Sequence, residues 1–190
     1  MPFQAIISSF ALVAISEMGD KTQLLAFSLA VRFKKPIPIM GGILVATILN
    51  HGLASTVGQW VSDRVPTNVM ALILGVSFIG FGFWTLKPDS IDDSDKGPQL
   101  GAFITTAILF FLAEMGDKTQ LATVALAAKY HSVAAVTIGT TTGMMVTDGL
   151  AVLLGERLAG KVQMKWIRRA AAGLFLLFGV VSLISILKAP

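Results

Sequence analysis

Long apolar runs separated by short polar ones set the pattern of this chain. The apolar segments run from Phe3 to Val31, Ile37 to Val61, Val69 to Leu86, Leu100 to Ala128, Val133 to Leu154 and Ala170 to Leu187. Each is continuously apolar rather than alternating, which favours helices over the short strands of a membrane barrel. About 20 residues suffice to cross a bilayer core. The pattern therefore predicts an all-α integral membrane protein with six transmembrane helices.

The first and fourth segments are 29 residues long. At helical rise that is about 43 Å, more than a hydrocarbon core of roughly 30 Å. These helices must tilt, kink or break. Gly19 and Gly116 lie near their middles beside charged residues, where local unwinding would turn backbone carbonyls toward a cavity.

The same two segments carry an internal repeat. Glu17 to Leu24 and Glu114 to Leu121 are identical over eight residues, Glu-Met-Gly-Asp-Lys-Thr-Gln-Leu, and the offset of 97 also aligns Arg32 with Lys129, Gly42 with Gly139, Gly52 with Gly149, Gly58 with Gly155 and Gly82 with Gly179. The unit duplicated is three helices. Three is odd, so the second copy enters the membrane from the other side and the halves have inverted topology. The expected organisation is a first repeat over 1–87, an acidic linker over 88–98 and a second repeat over 99–190. The linker's Asp92, Asp93 and Asp95 lack the glycine and terminal glutamate of a calcium loop, and read as solvated.

Composition supports the bilayer as solvent. The 190 residues are 54% hydrophobic and 14% charged, with a mean hydropathy of +0.76. Cysteine is absent, so any metal must be held by oxygen or nitrogen. The formal charge of +4 comes from short loop clusters rather than a basic tract, so nucleic acid is not an expected partner. Ten basic residues (Arg32, Lys34, Lys35, Lys87, Lys96, Arg157, Lys161, Lys165, Arg168 and Arg169) follow the first, third and fifth segments, against Arg64, Lys129 and Lys188 on the other side. The positive-inside rule puts the linker in the cytoplasm and both termini outside. The apolar start lacks a basic n-region, so no cleaved signal peptide is expected.

Charged residues inside such segments are costly, and so point to function. Read as continuous helix, Glu17 and Asp20 share a face, Gln23 extends it and Lys21 lies one turn from Glu17; Glu114, Asp117, Gln120 and Lys118 repeat this. Ser9, Ser16 and Thr106 add to the polar stripes, which should face each other across the repeat. Four carboxylates against two ammonium groups leave a formal charge of −2, which one divalent cation neutralises. Hard donors suit manganese, calcium or magnesium, and also admit sodium or protons. Carboxylates crowded at low dielectric repel, so protons can replace the metal. The plainer reading is a pair of buried ion pairs, Glu17 with Lys21 and Glu114 with Lys118, which leaves Asp20 and Asp117 unexplained. Lys21 and Lys118 are better read as balancing the charge of the empty site.

Elsewhere, Asn50 and His51 occupy the repeat positions of Thr147 and Asp148. Asn50, His51, Asp148, Gln23 and Gln120 are candidates for further ligands or a proton relay, with interhelical hydrogen bonding as the alternative for Asn50 and His51. Thr22 and Thr119 are weaker candidate ligands, because they can equally bond their own backbone turn. His131 falls in a predicted loop and is expected to be solvated.

The doubled Glu-Met-Gly-Asp-Lys-Thr, at Glu17 to Thr22 and Glu114 to Thr119, resembles the signature of the GDT-type cation/proton exchangers, and the likeness covers the whole chain. The resemblance implies export of Mn²⁺, or Ca²⁺, in exchange for H⁺. Bacterial members are manganese exporters, and Golgi relatives exchange calcium or manganese. The chain looks more like the bacterial exporters, which implies a multi-pass protein of the inner membrane. It also implies Glu17, Asp20, Glu114 and Asp117 as the metal-binding acids. The expected activity is secondary active transport by alternating access, with no enzymatic reaction and no resident cofactor. Two rivals remain: a cation channel lined by a charged ring, and an intramembrane hydrolase using the acids around a metal.

Overall fold

A computed structural model describes residues 2–87, 100–158 and 164–187. Those residues form eight helices and no strand: α1 (Pro2–Glu17), α2 (Lys21–Phe33), α3 (Pro36–Ser62), α4 (Thr67–Thr85), α5 (Ala102–Glu114), α6 (Lys118–Tyr130), α7 (Val133–Leu158) and α8 (Met164–Leu187). The expected linker lies outside the described residues. The all-helical fold agrees with the sequence, but the helices differ from the six expected spans.

The first and fourth predicted helices are each two helices, α1 with α2 and α5 with α6. Three helices are long and apolar enough to cross a bilayer: α3, Asn68–Thr85 of α4 and Val133–Leu153 of α7. The α1–α2 pair makes a fourth span if taken as one, bent by 69°. α5 and the apolar part of α8, Arg169–Ser185, are shorter apolar helices.

Local chemistry explains the ends. α2 stops at Lys34 and α6 at His131, both left-handed at φ 53° and 49°, with their N–H groups bonded to the carbonyls of Ala30 and Ala127. Lys34 and His131 are one repeat apart, so both halves turn the chain in the same way. Pro36 then opens α3 at a position where its missing N–H costs nothing.

The halves pack across each other. α1 lies along α7, α3 along α5, and α4 along α8, while α3 also crosses α6 and α7. Close approach depends on glycine at two equivalent places. A Cβ on Gly42 would sit 2.6 Å from the Phe103 carbonyl oxygen and 2.8 Å from Thr106 Cβ; on Gly139 it would sit 2.5 Å from the Ile6 carbonyl oxygen and 2.9 Å from Ser9 Cβ. Phe103 is the repeat partner of Ile6, and Thr106 of Ser9. Between α4 and α8, Phe78 packs on Phe175 and Phe178 at ring-centre distances of 6.4 and 5.6 Å.

The polarity of the molecule suits lipid. Leu53, Val57, Leu153 and Leu177 are exposed on its outside. Glu17, Asp20, Asn50, His51, Glu114, Asp117, Lys118 and Asp148 are buried inside it. In a bilayer, apolar side chains can face the tails and charges must find partners within the protein.

Candidate cation site

Each copy of the repeated segment forms a break with its own fastenings. α1 ends at Glu17, Gly19 takes φ 80°, and Asp20 is extended at φ −84°, ψ 173°. Only glycine adopts that positive φ without strain. Asp20 Oδ1 then accepts the N–H of Lys21 at 2.7 Å and caps α2. Gln23 Oε1 accepts the Gly19 N–H at 2.7 Å, closing the turn from the other side. The second copy repeats every step: Gly116 has φ 74°, Asp117 Oδ1 accepts the Lys118 N–H at 2.7 Å, and Gln120 Oε1 accepts the Gly116 N–H at 2.7 Å.

The break overturns the helix-face geometry expected for the motif. Glu17 is the last residue of one helix and Lys21 the first of the next, so the spacing of four no longer stacks them. The lysines pair across the repeat instead. Lys21 Nζ lies 3.2 Å from Asp117 Oδ2, and Lys118 Nζ lies 2.5 Å from Asp20 Oδ2. The glutamines cross in the same way. Gln23 Nε2 donates to the Thr147 carbonyl at 3.1 Å, and Gln120 Nε2 donates to Asn50 Oδ1 at 3.2 Å. Asn50 in turn donates to the Phe111 carbonyl at 3.0 Å. Positions 50 and 147 are one repeat apart.

Each glutamate is held by the threonine of its own motif. Thr22 donates its hydroxyl to Glu17 Oε2 at 2.5 Å, and Thr119 donates to Glu114 Oε1. A spacing of five brings no pair together on a straight helix; across these breaks, the first bent by 69°, it does. The other oxygens, Glu17 Oε1 and Glu114 Oε2, are buried without a hydrogen-bond partner. An unsatisfied buried carboxylate oxygen is expensive and calls for a ligand.

Here the copies diverge. Glu114 faces His51, whose Nε2 is 3.7 Å from Oε1, both groups being buried. The repeat position of His51 is Asp148, which is fully buried with neither carboxylate oxygen hydrogen-bonded. Asp148, Glu114, Asp20 and Asp117 all lie within electrostatic reach of Glu17. Glu17, Asp20, Lys21, Gln23, Glu114, Asp117, Lys118 and Gln120 thus meet around the two breaks, with Asn50, His51 and Asp148 beside them. Among the described residues, no three Asp, Glu or His side chains close around one point as a metal cage. His131 is not simply solvated: although exposed, it has Ser62 Oγ 3.2 Å from Nδ1.

Comparison with known proteins bears on what such a cluster does. The family described as divalent cation/proton antiporter GDT1 matches residues 5–93 and 102–189. A Vibrio cholerae protein named as a candidate manganese exporter is 42% identical over 175 residues, covering 92% of this chain and 88% of its own. A GDT1-like protein of rice, Oryza sativa subsp. indica, is 31% identical, covering 95% and 74%. A GDT1-like protein of Synechocystis is 30% identical, covering 94% and 96%. No solved structure matches significantly.

Proposed function

Because the chain belongs to the GDT1 family of divalent cation/proton antiporters, and is therefore a membrane transporter rather than an enzyme, we propose that it exports Mn²⁺, with Ca²⁺ as second choice, in exchange for protons. The observation that carries this reading is the reciprocal pairing of Lys21 with Asp117 and of Lys118 with Asp20. Around those pairs stand Glu17 and Glu114, each with one buried oxygen lacking a hydrogen bond. Glu17, Asp20, Glu114 and Asp117 are the ligands, and the two lysines occupy the aspartates between transport events. Asn50, Gln23 and Gln120 hold the breaks together, and His51 and Asp148 complete the surroundings of the two glutamates.

Asp148 changes the charge count. Five carboxylates against two ammonium groups come to −3 if all are ionised, so three protons balance the empty site, a divalent ion with one proton balances the loaded one, and two protons leave as the ion binds. Coupling between metal and proton is then a requirement of neutrality at low dielectric. The swapped pairs are what a two-fold relation between halves produces, and they support six spans in inverted repeats. α1 with α2 and α5 with α6 each form one broken span, the termini lie outside and the linker lies in the cytoplasm of a bacterial inner membrane. Alternating access follows if the halves exchange conformations about the breaks.

Purified protein in liposomes tests this directly. A proton gradient should drive Mn²⁺ against its own gradient, and Glu17→Gln or Asp117→Asn should each abolish the flux. Mn²⁺ moving only down its gradient would identify a channel. Unchanged flux in both variants would remove the motif from the site.

A further inference from the structure

A row of polar side chains leaves the site in one direction. α3 carries His51, Ser55, Gln59 and Ser62, spaced four, four and three residues apart, which aligns them along one side of the helix. His51 and Ser55 are fully buried, and Ser62 nearly so. The start of α7 supplies partners. Thr137 donates to Ser55 Oγ at 3.1 Å and reaches the His51 carbonyl at 3.5 Å. The Val133 N–H donates to Gln59 Oε1 at 3.3 Å. At the far end Ser62 Oγ lies 3.2 Å from Nδ1 of exposed His131, and at the near end His51 faces Glu114.

The other half is built differently at the same positions. One repeat away, Ser55 is replaced by Val152 and Thr137 by Met40. Both pack against the apolar cluster that includes Leu25, Ile39 and Ile43. A hydroxyl can accept one hydrogen bond while donating another, and so can pass a proton along; an aliphatic or thioether side chain cannot.

Resting on the transport reading above, we infer that this row is the proton route between the site and the face bearing His131, with Ser55 and Thr137 as its relay. A proton enters from water near His131. Each hydroxyl accepts it and releases its own toward the site, water carries it past the Gln59 amide and past His51, neither of whose ring nitrogens is hydrogen-bonded, and the chain ends on a site carboxylate as the metal departs. Only O–H bonds form and break. In the proposed topology that face is the outside, from which an exporter must draw the protons that drive it. Met40 and Val152 leave no equivalent row toward the cytoplasm, so protons are released there only when the site itself opens inward.

The test compares two double variants in Mn²⁺-loaded liposomes, with Mn²⁺ binding measured alongside. Ser55→Ala with Thr137→Val removes both hydroxyls at nearly constant volume, and Ser55→Thr with Thr137→Ser keeps them. The hydroxyl-free protein should bind Mn²⁺ as the unsubstituted protein does, yet exchange it for protons about a hundredfold more slowly. The hydroxyl-retaining protein should exchange normally. Normal exchange without the hydroxyls overturns the relay. So does an equal loss in both variants, or a loss of Mn²⁺ binding that accounts for the lost exchange. Failure of the unsubstituted protein to move Mn²⁺ would instead remove the transport reading beneath it.

Discussion

The hydroxyl of Thr47 lies 3.3 Å from the sulfur of Met144, and these two residues occupy the same position of the repeat, 97 residues apart. Equivalent positions of two copies can touch only near the axis that relates them. In the proposed inverted repeat, α3 and α7 cross on that axis, with the pairs Lys21–Asp117 and Lys118–Asp20 on either side of it. The chain contains no cysteine, so Thr47→Cys with Met144→Cys provides a clean probe. A short thiol cross-linker should join the halves so that they remain together on a denaturing gel after cleavage at a protease site inserted in the linker. Leu53→Cys with Met144→Cys should separate, because Leu53 faces outward.

The two ion pairs should differ in strength. Lys118 is 3% exposed and Lys21 30%. Lys118→Ala removes the buried ammonium partner of Asp20 and should cost about 3–5 kcal/mol, whereas the loss at the part-exposed Lys21→Ala should be smaller. Thermal unfolding in detergent gives the order. Equal losses would mean that burial does not set the strength of these pairs.

Thr22 and Thr119 each direct one glutamate, so their hydroxyls should matter more than their volume. Thr22→Val and Thr119→Val are expected to weaken Mn²⁺ binding by about 10–100-fold, as when an outer hydrogen bond to a metal ligand is lost. Thr→Ser at the same positions should leave affinity close to normal. Isothermal titration with the purified protein distinguishes these outcomes.

Glycine contacts give a further contrast. Gly42→Ala and Gly139→Ala press a methyl group against a neighbouring backbone, and each should cost about 1–3 kcal/mol. At Gly52 a Cβ meets nothing within 4 Å, so Gly52→Ala should be neutral or stabilise the helix by about 0.5–1 kcal/mol. Unfolding midpoints in matched detergent check all three.

Much of this was legible in the sequence because lipid makes buried charge conspicuous. Eight identical residues in an apolar run identified the motif, and the excess length of that run together with Gly19 and Gly116 marked the break. The partners were not legible. Spacing rules assume a continuous helix, and once Glu17 ends α1 and Lys21 begins α2 those rules no longer apply. The two lysines then find aspartates 97 − 1 = 96 and 97 + 1 = 98 residues away, distances no local pattern reveals. The same break brings Thr22 to Glu17 and Thr119 to Glu114, contacts that a continuous helix does not make. Asp148 could be singled out as an unpaired acid, but its place near Glu17 depends on how α7 packs along α1 and α2.

Asp20 and Asp117 divide their two oxygens between different tasks. Oδ1 caps a helix and Oδ2 meets a lysine in both copies. In the proposed cycle, cargo and lysine can trade places at one atom while the other keeps the helix anchored. Loading and unloading then leave the hinge intact, so the same joint can serve turnover after turnover without local unfolding.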